Sequence, residues 1–477
     1  MKRQLQKFTE FANKLLPQET AYLLSVQQFD DRVKLGILER VHYNCQHIDQ
    51  FTPYDISIDK RKYSHLKNWI QDRLAAIDVD RHFEWMIDTE RKIITDAIQL
   101  SEEKKLLKAI RQYEHPAFFF SKFYELVEQY RQFLLIRLRF SDYQLTDDFL
   151  NRYREDYCLS REVDDKLRQA TYDIVQQYSR NSTESIQWEK WLNEVFYDEQ
   201  LEGIKRYLAM VRLTFIGFNY RNMNTLKEKM DYVEAQFVQG KYYSKRILLN
   251  YYTNRLILHS RLKEYERAVY YGYLSVREKN HDYILYVNNL CAVLLRRNRH
   301  QEALELMRRA APDMKATKNI HNRIGFVAFY MQALNKNGLY RNAEGYGDTF
   351  LRAYQKEVLE YRWHLFFSVY FEALLHLGRY EKLLKTAQRH QLTERDRNYA
   401  AKAGYLPTIP IFMKIAQYKE GICLRKPLLL TLQHYLDQFH DDPDRLQNLR
   451  MLYEDLQPLI PEVWSGLRFG GGGVLIF

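Results

Sequence analysis

The chain has 477 residues, 46% of them hydrophobic and 28% charged, and a formal net charge of +11. That apolar share can fill a packed core and excludes global disorder. Only 17 glycines and 10 prolines are too few for the many tight turns of an all-β sandwich.

Much of the apolar mass comes from 38 tyrosines and 26 phenylalanines, and tyrosine can bury its ring while keeping its hydroxyl wet, which suits thin helical layers. Four cysteines, Cys45, Cys158, Cys291 and Cys423, are far apart and form no CxxC. They read as reduced, structural thiols in a cytoplasmic chain. The start, Met1-Lys2-Arg3-Gln4-Leu5-Gln6-Lys7, is charged, but no apolar run of roughly 7–15 residues comes after it, so no signal peptide is expected. No stretch approaches the ~20 apolar residues of a membrane span, so no membrane partner is expected.

In chain order, residues 1–53 predict two or three amphipathic helices, with Pro17 and Thr20 starting the second and Pro53 closing the group. Helices resume at 61–76 and 82–113. His115-Pro116 then opens a long apolar helix through Phe120, Phe123, Leu126, Tyr130, Leu134 and Leu138. Thr146-Asp147-Asp148 reads as the next N-cap. Arg180-Asn181-Ser182-Thr183 is the clearest polar break in the first half. It divides an N-terminal helical region, 1–183, from the rest of the chain.

Helix pairs then become regular. The pairs are 200–218 with 224–239, 245–259 with 264–279, and 286–295 with 301–311, the last stopped by Pro312. Two more turn at Asn337-Gly338 and at Leu377-Gly378-Arg379. An aromatic or imidazole ring stands three residues before a small or aliphatic one in Tyr265/Ala268, His300/Ala303, Tyr340/Ala343 and Tyr380/Leu383. The small residue lets the second helix cross the first closely, the ring fills the gap above it, and the glycines give left-handed C-caps. Positions 268, 303, 343 and 383 are spaced by 35, 40 and 40 residues. This pattern resembles the tetratricopeptide repeat, whose period is near 34 residues. The likeness covers 245–390 well and 196–244 weakly.

After residue 390 the pattern fades, and Pro407 and Pro410 are expected to break any helix. Helices restart at 425–440 and at Asp441-Asp442-Pro443-Asp444, as caps on the end of a stack. The expected fold is therefore all-α: a right-handed superhelix of tetratricopeptide-like repeats over 184–460, with the N-terminal helical region before it and capping helices at its end. Residues 461–477 form a Gly-rich hydrophobic tail. Its last residues, Val474, Leu475, Ile476 and Phe477, read as a frayed terminus without a role, with docking into this protein's surface or a partner, or a proteolysis signal, as the alternatives.

No phosphate loop, GxSxG or HExxH is present, so no catalytic, cofactor or metal site is expected and the chain reads as a non-enzyme. His42, Cys45 and His47 do not share one helix face, and His440 beside Asp441, Asp442 and Asp444 reads as a helix cap. Charge says more. Residues 241–330 hold seventeen Lys and Arg against seven Asp and Glu, while the rest of the chain is nearly balanced. Such a basic face attracts acidic protein segments or phosphate backbones. The tetratricopeptide resemblance implies that first helices line a concave surface carrying Asn250, Arg261, Asn288, Arg296, Arg297, Gln332, Asn335 and Lys336. Their amides and cations would grip an acidic or extended peptide. The expected function is a scaffold or regulator binding such a partner. The alternative is a nucleic-acid-binding repeat protein using the 241–330 face.

Overall fold

A computed structural model describes residues 5–180, 185–220, 222–402 and 405–468, and every regular element among them is helical. The chain divides into two compact units, Met1–Glu278 and Lys279–Phe477. The expected boundary at 183/184 lies at residues outside those described.

In the first unit, side chains set several helix starts. Asp31, Asp59 and Asp78 accept backbone N–H bonds at the heads of Arg32–Gln46, Lys60–Ile77 and Val79–Ile94, satisfying donors that a helix leaves unpaired. The helical span expected at 82–113 holds two helices. Val79–Ile94 ends at Asp96, whose φ is 55°, and Leu100–Arg111 comes next. The long apolar helix runs Phe120–Ile136 and so starts later than His115. Its start is fixed from a distance: the buried Glu202 carboxylate accepts from Ser121 N at 2.9 Å and from Ser121 Oγ at 2.5 Å. Thr146-Asp147-Asp148 starts nothing, because Phe140–Arg152 runs through it. The Thr146 hydroxyl bonds Tyr143 O, and Asp147 meets Arg131 at 2.7 Å. Around Phe120, Tyr130 and Leu134 the apolar faces of these helices close one core. Further along, Met223–Val238 packs on Pro17–Val26, and Lys245, opening Lys245–Arg261, reaches Glu19 at 2.8 Å.

The second unit repeats one arrangement. Tyr283–Arg296 packs on His300–Ala316 and on Ile320–Lys336. Ile320–Lys336 packs on Tyr340–Glu357 and on Trp363–His376. Trp363–His376 packs on Tyr380–Arg389 and on Thr408–Lys419. The turns inside the pairs are alike. Asn298, Gly338 and Gly378 hold φ of 57°, 72° and 66°. The next N–H of each reaches back to close a Schellman turn: Arg299 to Leu294, Leu339 to Leu334 and Arg379 to Leu374, at 2.8–2.9 Å. Lys263 takes the same place in the first unit at φ 62°. Ala268, Ala303, Ala343 and Leu383 are all fully buried, and the Tyr340 ring stacks on His376 at 4.4 Å.

Two prolines act differently from expectation. Pro312 lies inside His300–Ala316 and does not stop it, so the helix forgoes one hydrogen bond and is held by its packed face, Leu304, Met307, Ala310 and Met314. Pro410 lies in the first turn of Thr408–Lys419, where a missing N–H costs nothing. As expected, Asp442 caps Pro443–Leu456 through Arg445 N at 3.1 Å.

Candidate functional site

The eight residues expected to line a concave surface fall in both units. Asn250 and Arg261 belong to the first. Asn250 is half-buried and accepts from Asn254 Nδ2 at 3.1 Å, and Arg261 is exposed at the end of its helix. The other six belong to the second unit.

Two of those six are interior. Asn288 and Asn335 are 3% and 2% exposed. Asn288 Nδ2 donates to Asn322 O, and Asn335 Nδ2 to Val369 O, each at 3.0 Å and each 34 residues onward. Both amides thus tie one first helix to the next. A buried amide needs a partner, and the carbonyl of the neighbouring helix supplies it. Each keeps one buried oxygen, Oδ1, without a hydrogen bond.

The neighbours of these amides leave a different set at the surface. On Tyr283–Arg296, Asn289 and Ala292 are half-buried and Arg296 exposed, with Arg297 exposed just after. Residues 289, 292 and 296 share a face at helical spacing. On Ile320–Lys336, Gln332 and Lys336 are half-buried. Lys336 already meets acids: its ammonium pairs with Asp455 of Pro443–Leu456 and lies 3.9 Å from Glu372. Nearer the helix start, Gly325 permits a close approach. A Cβ there would lie 2.4 Å from Arg362 Nη1 and 3.2 Å from Asn288 Nδ2. His321 on the same helix is held below the usual imidazole range by burial and then by the Arg362 charge.

Part of the basic stretch is committed to internal contacts. In the first unit Lys245 pairs with Glu19 and Arg246 with Asp80, each at 2.8 Å, and Arg255 pairs with Asp231 and Glu234. These acids lie outside residues 241–330, so the local excess seen in sequence is offset by distant parts of the chain. In the second unit Lys279 meets Asp313 at 2.9 Å and Arg299 meets Glu302 at 2.6 Å. Arg308, Arg309, Lys315 and Lys318 are exposed. They stand on the second helix of their pair and the loop after it, not on a first helix.

Among the described residues no three His, Cys, Asp or Glu side chains are grouped to hold a metal ion. His42 Nδ1 bonds the Thr20 hydroxyl at 2.7 Å, and Cys45 Sγ donates to Leu15 O at 3.3 Å. Burial pushes the Cys45 thiol up to about 11. Val474, Leu475, Ile476 and Phe477 lie outside the described residues. Among those described, no helix is long and apolar enough to cross a membrane. Sequence reasoning passed over His364, Asp396 and Tyr405, which the structure brings together. His364 sits in an apolar run and nothing near Asp396 marks it. No family model, no curated protein and no solved structure matches this chain.

Proposed function

We propose that the helix pairs form a tetratricopeptide-like superhelix and that the protein is a non-enzymatic scaffold binding an acidic or extended peptide. The observation that carries this reading is the recurring turn of the second unit together with its amide ties. A left-handed residue closes each first helix, a buried small or aliphatic residue stands five positions later, and a first-helix amide bonds the next first helix 34 residues on. A stack with that spacing presents successive first helices side by side, so side chains four apart on each become a continuous strip. Asn289, Arg296, Arg297 and Gln332 supply amide and guanidinium groups to that strip. Amides bond an extended backbone and guanidinium groups hold carboxylates. Binding by oriented amides and cations needs no titrating nucleophile, in keeping with a scaffold role.

Fluorescence anisotropy with a labelled hexaglutamate peptide tests it. Arg296→Ala with Arg297→Ala should weaken binding by about tenfold or more, the loss of one to two charge-assisted contacts. Absence of hexaglutamate binding to the unaltered protein refutes the acidic-peptide reading. Tighter, steeply salt-dependent binding of single-stranded RNA to the same residues would replace it with the nucleic-acid reading.

A further inference from the structure

Two buried polar atoms of the second unit face each other without a hydrogen bond. They are His364 Nε2 and Asp396 Oδ1, 3.8 Å apart. His364 stands in the first turn of Trp363–His376, and Asp396 in Leu392–Tyr399. The other side of the imidazole is hydrogen-bonded to the Leu406 backbone. That carbonyl takes the Nδ1 proton, so Nε2 presents its lone pair to Asp396. The second oxygen of Asp396, Oδ2, accepts from the Tyr405 hydroxyl at 2.6 Å. The Tyr399 ring stacks on the imidazole at 4.8 Å, and Trp363 stands edge-on to Tyr399 at 5.5 Å. Asp396 is only 7% exposed.

A lone pair and a carboxylate pointed at each other in an aromatic enclosure repel, and an unpaired buried polar group is costly in low dielectric. One proton between them removes both penalties. The surroundings decide where it sits. Tyr405 and Tyr435 face the carboxylate and are neutral groups. Lys402 lies over the Tyr399 ring at 4.8 Å. Arg395 is turned to the carbonyls of His390 and Leu359, both at 3.2 Å. Apart from His364, no described residue forms an ion pair with Asp396. Burial raises the Asp396 carboxyl above its ordinary range and lowers His364 to about 4, so both shifts favour the proton on oxygen.

We propose that Asp396 is kept as a neutral carboxylic acid whose hydroxyl turns to His364 Nε2 and closes the 3.8 Å gap to hydrogen-bond length, and that loss of this proton to solvent loosens Leu392–Tyr399 from Trp363–His376. The folded carboxyl binds its proton more tightly than the unfolded one. Its contribution is therefore complete below the unfolded value and is lost as pH rises through the folded one. His364 acts in the opposite sense. Stability falls as pH drops from its ordinary 6.5 toward about 4, because the unfolded ring takes up a proton first.

Amide hydrogen exchange of Leu392–Tyr399 in the full chain tests the latch, with rates corrected for the intrinsic effect of pH. As pH rises through the raised titration of the folded carboxyl, protection in the unaltered protein should fall by about tenfold or more. Asp396→Asn places a permanent N–H donor toward Nε2 and an acceptor toward Tyr405, and its protection should stay level over the same range. Unchanged protection in the unaltered protein, or an equal fall in D396N, overturns the proposal. If D396N does not fold, the 13C resonance of His364 Cε1 in the unaltered protein decides. A ring that stays neutral down to about pH 4 supports a proton on Asp396. A ring that charges near its ordinary value places the proton on His364 and overturns it.

Discussion

Glu19 should be the most costly single side chain to remove from the first unit. It is 1% exposed, yet every lone pair is used. Lys245 Nζ lies 2.8 Å from both carboxylate oxygens, the Tyr243 hydroxyl donates at 2.6 Å and Leu16 N at 2.7 Å. Breaking a buried pair from one side costs about 3–5 kcal/mol, because the surviving charge stays desolvated. In Glu19→Ala the ammonium would keep Lys14 O at 2.7 Å and Glu278 at 3.9 Å, which places the loss near the low end, about 3 kcal/mol. Replacing both partners, Glu19→Leu with Lys245→Met, leaves no stranded charge and should cost about 2 kcal/mol, for the Leu16 N–H and the buried Tyr243 hydroxyl left without their acceptor. Hydrogen exchange of Pro17–Val26 and Lys245–Arg261 in rising urea reads this unit by itself. A loss under about 1 kcal/mol in Glu19→Ala, or a double variant as unstable as the single one, would refute the reasoning.

The left-handed turns allow a test in both directions. Gly338 has φ 72° and open space where a Cβ would go, so Gly338→Ala should cost about 1 kcal/mol through backbone strain alone. Leu138 holds φ 57° with its side chain 70% exposed, so Leu138→Gly should stabilise by about 0.5–1 kcal/mol, and thermal melts of both variants give the signs. Iodoacetamide on the folded protein should label Cys158, which is exposed, well before Cys45, Cys291 and Cys423, which are buried. Peptide mapping after brief treatment should find Cys45 and Cys291 modified only on unfolding, since burial pushes both thiols up.

Local chemistry made part of this molecule readable in its sequence. Spacing of apolar residues indicated the all-helical class, and Gly338, Gly378, Ala268, Ala303 and Ala343 marked where helices turn and cross, because those demands are met within a few residues. Proline misled where its position in the helix mattered more than its presence. Pro410 serves a first turn, and Pro312 is tolerated by packing. Sequence alone could not show which distant groups meet. The seventeen cations between 241 and 330 look like one open basic face until Glu19, Asp80, Asp231 and Glu234 are folded against three of them, Lys245, Arg246 and Arg255. Asn288 and Asn335 look like surface amides until a neighbouring helix covers them. Helix formation depends on neighbours three and four residues away, whereas charge pairing and amide burial depend on partners 34 to 226 residues away. Only the tertiary structure brings those partners within hydrogen-bonding distance.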